Sequence, residues 1–213
     1  MSFFPAVRWL GIVLNLSFAF NSFSSDEVKL SYERSGPWKS EVGQGFRQGA
    51  MEGSTSAGAG FGMRILFSET AHDWALGVAD VGWVFTDPVA DDKWYRGNWE
   101  LLGEVFGGAQ FRPDVAYVIG VTPLVRYNFI TGTRFVPFVN AGAGATATDI
   151  RNGDLSSTFE FNLQAGVGTH WFVRDHLAIT AQYRFIHLSN AGTKFPNLGI
   201  NTSTFLLGAS WFF

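Results

Sequence analysis

Between Thr158 and Val173 the chain alternates strictly. Phe159, Phe161, Leu163, Ala165, Val167, Trp171 and Val173 take the odd positions, and Glu160, Asn162, Gln164, Gly166, Gly168 and His170 the even ones. Successive side chains of a strand point to opposite faces, so this segment predicts a strand with one face suited to lipid and the other to water. The same parity recurs from Val115 to Phe129, where Tyr117, Ile119, Val121, Val125 and Tyr127 oppose Gly120, Thr122, Arg126 and Asn128. From about Glu52 onward the pattern predicts strands over 52–64, 72–86, 97–110, 115–129, 135–148, 157–173, 177–190 and 202–213. They exceed the ~5–6 residues usual in soluble sheets. All reach the ~9–11 residues a tilted strand needs to cross a bilayer core. The expected fold is therefore all-β, an eight-stranded antiparallel transmembrane β-barrel whose interior is filled by side chains.

Composition narrows this further. Hydrophobic residues make up 46% of 213 and charged residues 15%, yet no stretch after the N-terminus has the ~20 consecutive apolar residues of a spanning helix. A net charge of −3 is small and of the wrong sign for a nucleic-acid partner. The absence of cysteine excludes disulfides and thiol chemistry. Arg8, the apolar run Trp9 to Phe20 and the small-x-small group Ser22-Phe23-Ser24 read as a signal peptide over 1–24, the run being too short for an anchor helix. Residues 25–51, with Pro37-Trp38 and Gly43-Gln44-Gly45, fit a plug, an extra strand pair or a periplasmic segment. The barrel occupies 52–213 and ends in Trp211-Phe212-Phe213, an aromatic end common in bacterial outer-membrane barrels. Glu100, Glu104 and Glu160 share interior parity with Arg126 and Arg184, which predicts an interior ion-pair network. No metal-ligand spacing, phosphate loop or Gly-x-Ser-x-Gly elbow is present, so no cofactor or metal is expected.

Candidate chemistry lies at the end of the seventh strand. Leu177, Ile179, Ala181, Tyr183 and Phe185 form its lipid-type face, and His187 and Ser189 continue that face. Residues i and i+2 of a strand lie ~6.6 Å apart, so the imidazole can reach the hydroxyl and act as its general base. A polar pair at the membrane interface would look the same, and Asn190-Ala191-Gly192 and Pro196-Asn197-Leu198-Gly199 also suit ordinary turns. Asn190 and Gly192 are the nearest donors for an oxyanion, one through its side-chain amide and the other through its backbone N–H.

The run His187-Leu188-Ser189-Asn190-Ala191-Gly192, a spacer, then Pro196-Asn197-Leu198-Gly199 resembles the signature of the PagL-type lipid A deacylases. With the strands, the resemblance covers roughly 52–213 and is strongest over 183–213. It implies an outer-membrane serine esterase that removes an ester-linked acyl chain, 3-O by the family pattern, from the lipid A of lipopolysaccharide. His187 would be the base, Ser189 the nucleophile, and Asn190 and Gly192 the oxyanion donors. The family's third catalytic residue is a glutamate, and the matching position here is Asn201. Asparagine can hold the tautomer of an imidazole but does not stabilise an imidazolium by charge. On the sequence alone, restoring glutamate at 201 is expected to retain or raise activity. The alternative is a non-catalytic small barrel with a structural or adhesion role; a narrow pore is disfavoured because eight strands leave little lumen.

Overall fold

A computed structural model of the chain describes residues 46–213. Its strands are β1 (Met51–Gly62), β2 (Asp73–Val84), β3 (Gly97–Arg112), β4 (Ala116–Phe129), β5 (Phe135–Thr148), β6 (Phe159–Arg174), β7 (Leu177–Ser189) and β8 (Ile200–Phe212). Each pairs antiparallel with its sequence neighbours, and β1 pairs with β8, so the barrel is closed. The expected strand ends lie within two residues of these, as is usual where a ladder frays into a loop. The expected signal peptide over 1–24 and the segment 25–45 lie outside the described residues.

The parity inferred from the sequence sets both faces. Phe161, Leu163, Val167 and Trp171 of β6 and Ile119, Val121 and Val125 of β4 are exposed on the outer surface, while Asn162, Gln164, His170, Thr122 and Arg126 are buried inside. Loops 63–72, 113–115, 149–158 and 190–199 gather at one end, and 85–96, 130–134 and 175–176 at the other. The tight 130–134 and 175–176 turns mark the periplasmic side of such barrels, so the first group forms the outer rim. The long 85–96 connection is folded back on the barrel by the Val89–Gly97 bridge.

The lumen is packed in three layers. Toward the rim an apolar cluster includes Trp74, Phe106, Ile150, Leu155 and Leu188. At the middle Arg126 pairs with Glu52 and Glu100, and Arg184 pairs with Glu104 and takes Gln164 as a further acceptor. At the periplasmic end Phe46 sits against Phe172 and Phe212, with ring centroids 5.6 and 5.0 Å away. Phe46 thus fills the periplasmic end of the lumen.

The ion-pair network differs from expectation in two members. Glu52 joins it through Arg126, whereas Glu160 forms no hydrogen bond or ion pair with either arginine. Register explains the second: Arg184 faces Gly166 on β6, and Glu160 lies six residues away, roughly 20 Å at the strand rise.

Because Arg126 is 1% exposed and neutralises carboxylates on two other strands, Arg126→Met strands buried charge. It is expected to destabilise the barrel by roughly 3–5 kcal/mol, read as a lower urea midpoint in detergent micelles by heat-modifiable gel mobility. An unchanged midpoint would contradict the role given to this layer.

Candidate active site

The β7–β8 register sets His187 directly opposite Asn201. Both lie on the outward face, and His187 Nδ1 is 2.8 Å from Asn201 Oδ1. Asn201 is only 1% exposed because loop 63–72 folds over it: Asn201 Nδ2 donates to the Ile65 carbonyl at 2.6 Å, and the Met63 N–H donates to the Asn201 carbonyl at 2.8 Å. The Ile65 contact fixes the amide. A carbonyl can only accept, so the NH₂ group faces Ile65 and the Oδ1 faces the imidazole. His187 therefore carries its proton on Nδ1, which leaves the Nε2 lone pair free to take a proton.

Ser189 continues the same outward face, half-buried at the end of β7. Its hydroxyl makes no hydrogen bond to the imidazole here; in unliganded hydrolases this contact commonly tightens only when substrate binds. Gly199 packs beneath the ring. Its φ is +82°, and a Cβ added there would stand 2.8 Å from His187 Cε1 and 3.5 Å from Nε2. Only glycine satisfies both the left-handed backbone and that approach.

The two expected oxyanion donors are engaged within their own turn. Gly192 N–H donates to Asn190 Oδ1 at 3.0 Å, and Asn190 Nδ2 donates to the Lys194 carbonyl at 2.9 Å. The cause is local, since an asparagine at the start of a turn satisfies the following backbone N–H groups with its own side chain. The Asn190 N–H in turn donates to Asn197 Oδ1 at 2.9 Å.

Sequence reasoning missed Ile65, which acts through a backbone carbonyl and so leaves no residue-type signal. It also missed Gly199's contact with the ring, although the Pro-Asn-x-Gly group was in view. Asp154 was missed as well. Its carbonyl accepts the Leu198 and Gly199 N–H groups, each at 3.0 Å. Burial opposes ionisation of its carboxyl, but the Glu69 N–H, His72 and the Thr70 N–H hold it below the usual carboxylate range. Along the outer faces of β7 and β8, a groove of 440 Å³ lined by Ala181, Tyr183, Phe205 and Leu207 opens to the membrane side. Among the described residues no cluster is arranged to hold a metal ion.

Comparison with known proteins gives a consistent set of relatives. A family model described as lipid A 3-O-deacylase (PagL) matches residues 14–210. The lipid A deacylase PagL of Bordetella bronchiseptica is 28% identical over 116 residues, which cover 50% of this chain and 62% of that protein. The crystal structure of the outer membrane enzyme PagL superposes with a TM-score of 0.54 at 21% identity, covering 74% of this chain and 97% of the other. That of Neisserial surface protein A gives 0.56 at 12% identity, covering 77% and 99%. These two structural likenesses concern the fold.

The packing of Gly199 under His187 makes Gly199→Ala a direct test of the geometry. The substitution is expected to push the ring aside and break the Nδ1–H to Asn201 hydrogen bond while leaving the barrel folded. In histidine-labelled protein in detergent micelles, the His187 Nδ1–H resonance should then broaden into exchange with water. A retained sharp signal would refute the packing.

Proposed function

The chain belongs to the PagL family of lipid A 3-O-deacylases, and from that membership we propose that it hydrolyses a 3-O-linked acyl ester of lipid A at the rim of the outer membrane. The observation that carries this reading is the outward-facing His187 whose tautomer is fixed by Asn201. A purely structural barrel has no need of an oriented imidazole on its lipid-facing surface. The B. bronchiseptica relative is aligned over 62% of its length, so the reaction rests on the family match together with this geometry.

The reaction proceeds in two halves. His187 Nε2 takes the Ser189 Oγ proton as the oxygen attacks the ester carbonyl. The tetrahedral intermediate collapses when the imidazolium returns that proton to the departing sugar oxygen, leaving the acyl group on Ser189. A water activated by the same nitrogen then releases the fatty acid. We assign oxyanion stabilisation to Asn190 and Gly192. This requires a small shift of the 190–194 turn, in which the Gly192 N–H leaves Asn190 Oδ1 for the substrate oxygen. Lipopolysaccharide reaches the site by lateral diffusion, and the departing acyl chain lies in the groove along Ala181, Tyr183, Phe205 and Leu207. Asn201 orients His187 but leaves the imidazolium without a counter-charge.

The Ile65 contact reverses the expectation for glutamate at 201. A carboxylate there would set an oxygen against the Ile65 carbonyl in a site only 1% exposed, leaving two acceptors facing each other with no hydrogen between them. Asn201→Glu is therefore expected to lower turnover. Asn201→Ala should lower it by roughly 10- to 100-fold through loss of orientation. Ser189→Ala and His187→Asn should abolish it. Mass spectrometry of purified lipid A treated in detergent with each variant reads all four, product appearing as loss of one hydroxyacyl group. Full activity in Ser189→Ala would end the serine esterase reading; activity of Asn201→Glu above that of the unaltered protein would overturn only the role given to Ile65.

A further inference from the structure

Inside the rim, His72 and Asp154 form a histidine–carboxylate pair. His72 Nε2 lies 3.0 Å from Asp154 Oδ2, and both side chains are fully buried. The other ring nitrogen, Nδ1, is 2.7 Å from Gln110 Oε1. The orientation of the Gln110 amide is settled by its Nε2, which donates to the Asp114 carbonyl at 2.9 Å. Nδ1 of His72 thus faces an amide oxygen, while Nε2 faces the Asp154 carboxylate with the Asn152 Nδ2 3.5 Å away. His72 is held between Gln110 and Asp154.

Asp154 uses every acceptor it has. Its carboxylate takes the Glu69 and Thr70 N–H groups, each at 2.9 Å, besides His72. Its carbonyl takes Leu198 and Gly199 N–H. One residue of loop 149–158 therefore ties down loop 63–72, which supplies the Ile65 carbonyl that orients Asn201, and loop 190–199, which supplies the Gly199 backbone beneath His187. Through His72 and Gln110 the same hub reaches the 113–115 turn. Among the described residues, the Ile65 and Gly199 contacts that aim the outward imidazole from beyond its own strand pair both lie on loops bonded to Asp154.

Resting on the esterase reading above, we infer that Asp154, bonded to His72, is a positioning residue for hydrolysis: it holds the loop backbone that fixes the orientation of His187. Neither residue touches substrate. Both lie on the lumen side of the rim, while His187 and Ser189 face the membrane.

Asp154→Asn replaces a carboxylate oxygen by an amide NH₂ that can only donate, and His72→Gln replaces the imidazole by an amide of similar reach. Each is expected to lower kcat by roughly 10- to 100-fold with KM for lipid A in mixed micelles unchanged, since the groove and Ser189 are untouched. Gel mobility reports whether each barrel is folded, and the two variants serve as substitutes if one does not fold. Histidine NMR of the full-length protein supplies a readout independent of activity. In either variant the His187 Nδ1–H signal should broaden. Ser189→Ala run alongside separates the two readings. If it retains activity, the esterase assignment fails, whereas the NMR arm still decides the clamp. If Ser189→Ala is inactive while both clamp variants keep full kcat and a sharp His187 signal, the positioning role is refuted.

Discussion

Closure of the sheet through the β1–β8 ladder is the constraint on which the rest of this molecule depends. A strand in lipid has no water to satisfy its backbone, so every N–H and C=O must find a partner on a neighbouring strand, and an eight-stranded sheet achieves this only by closing. Once closed, a period of two assigns each side chain to lipid or to lumen with no third option. The lumen of eight strands is too narrow for free water, so the polar residues that parity sends inward must satisfy one another. Arg126 and Arg184 do so by gathering carboxylates from several strands, and the apolar and aromatic layers above and below seal the ends.

The same constraint explains why His187 and Ser189 lie on the outer surface. Placed inward at that height they would enter the apolar cluster that holds Ile186 and Leu188, where neither substrate nor water has access. Placed outward they meet the outer leaflet, where an acyl ester of a lipid is found and water is a short distance above. An outward imidazole on a strand can nonetheless rotate, and the strands themselves offer only its cross-strand neighbour to hold it. Asn201 fills that role because the register brings it opposite, and the loop carbonyl of Ile65 decides which end of the amide His187 meets.

This division of labour between strands and loops also governs what was legible in the sequence. The strands, the two faces, and the placement of His187, Ser189 and Asn201 on the outward face all follow from a period of two, which any run of a dozen residues displays. Glu160 was misassigned because parity gives the face but not the height along the barrel, and height depends on a register that no single strand encodes. Phe46 lay just ahead of the alternating region, where nothing marks a ring as a plug. Ile65, Gly199 and Asp154 act through backbone carbonyls and N–H groups brought together from three loops far apart in sequence. Residue type says little about such contacts. His72 resembled any histidine at a strand end until Gln110 and Asp154 were seen on either side of it.

Asn201, standing where the resemblance implies a glutamate, belongs to this loop chemistry rather than to the strands. A carboxylate accepts at both oxygens and needs donors around it; an amide accepts at one end and donates at the other. Loop 63–72 presents a carbonyl to this position, so it is an amide, not an acid, that matches its surroundings. In the hydrolysis we propose, an imidazolium at His187 would have no adjacent negative charge among the described residues, and the stabilisation a carboxylate would supply must be offset by orientation alone. Orientation on an exposed surface is only as good as the loops that enforce it. That makes a rigid, buried anchor for those loops more consequential in this chain than in one with a charged third residue. The His72–Asp154 pair, sealed within the rim and bonded to both loops, stands where such an anchor is needed.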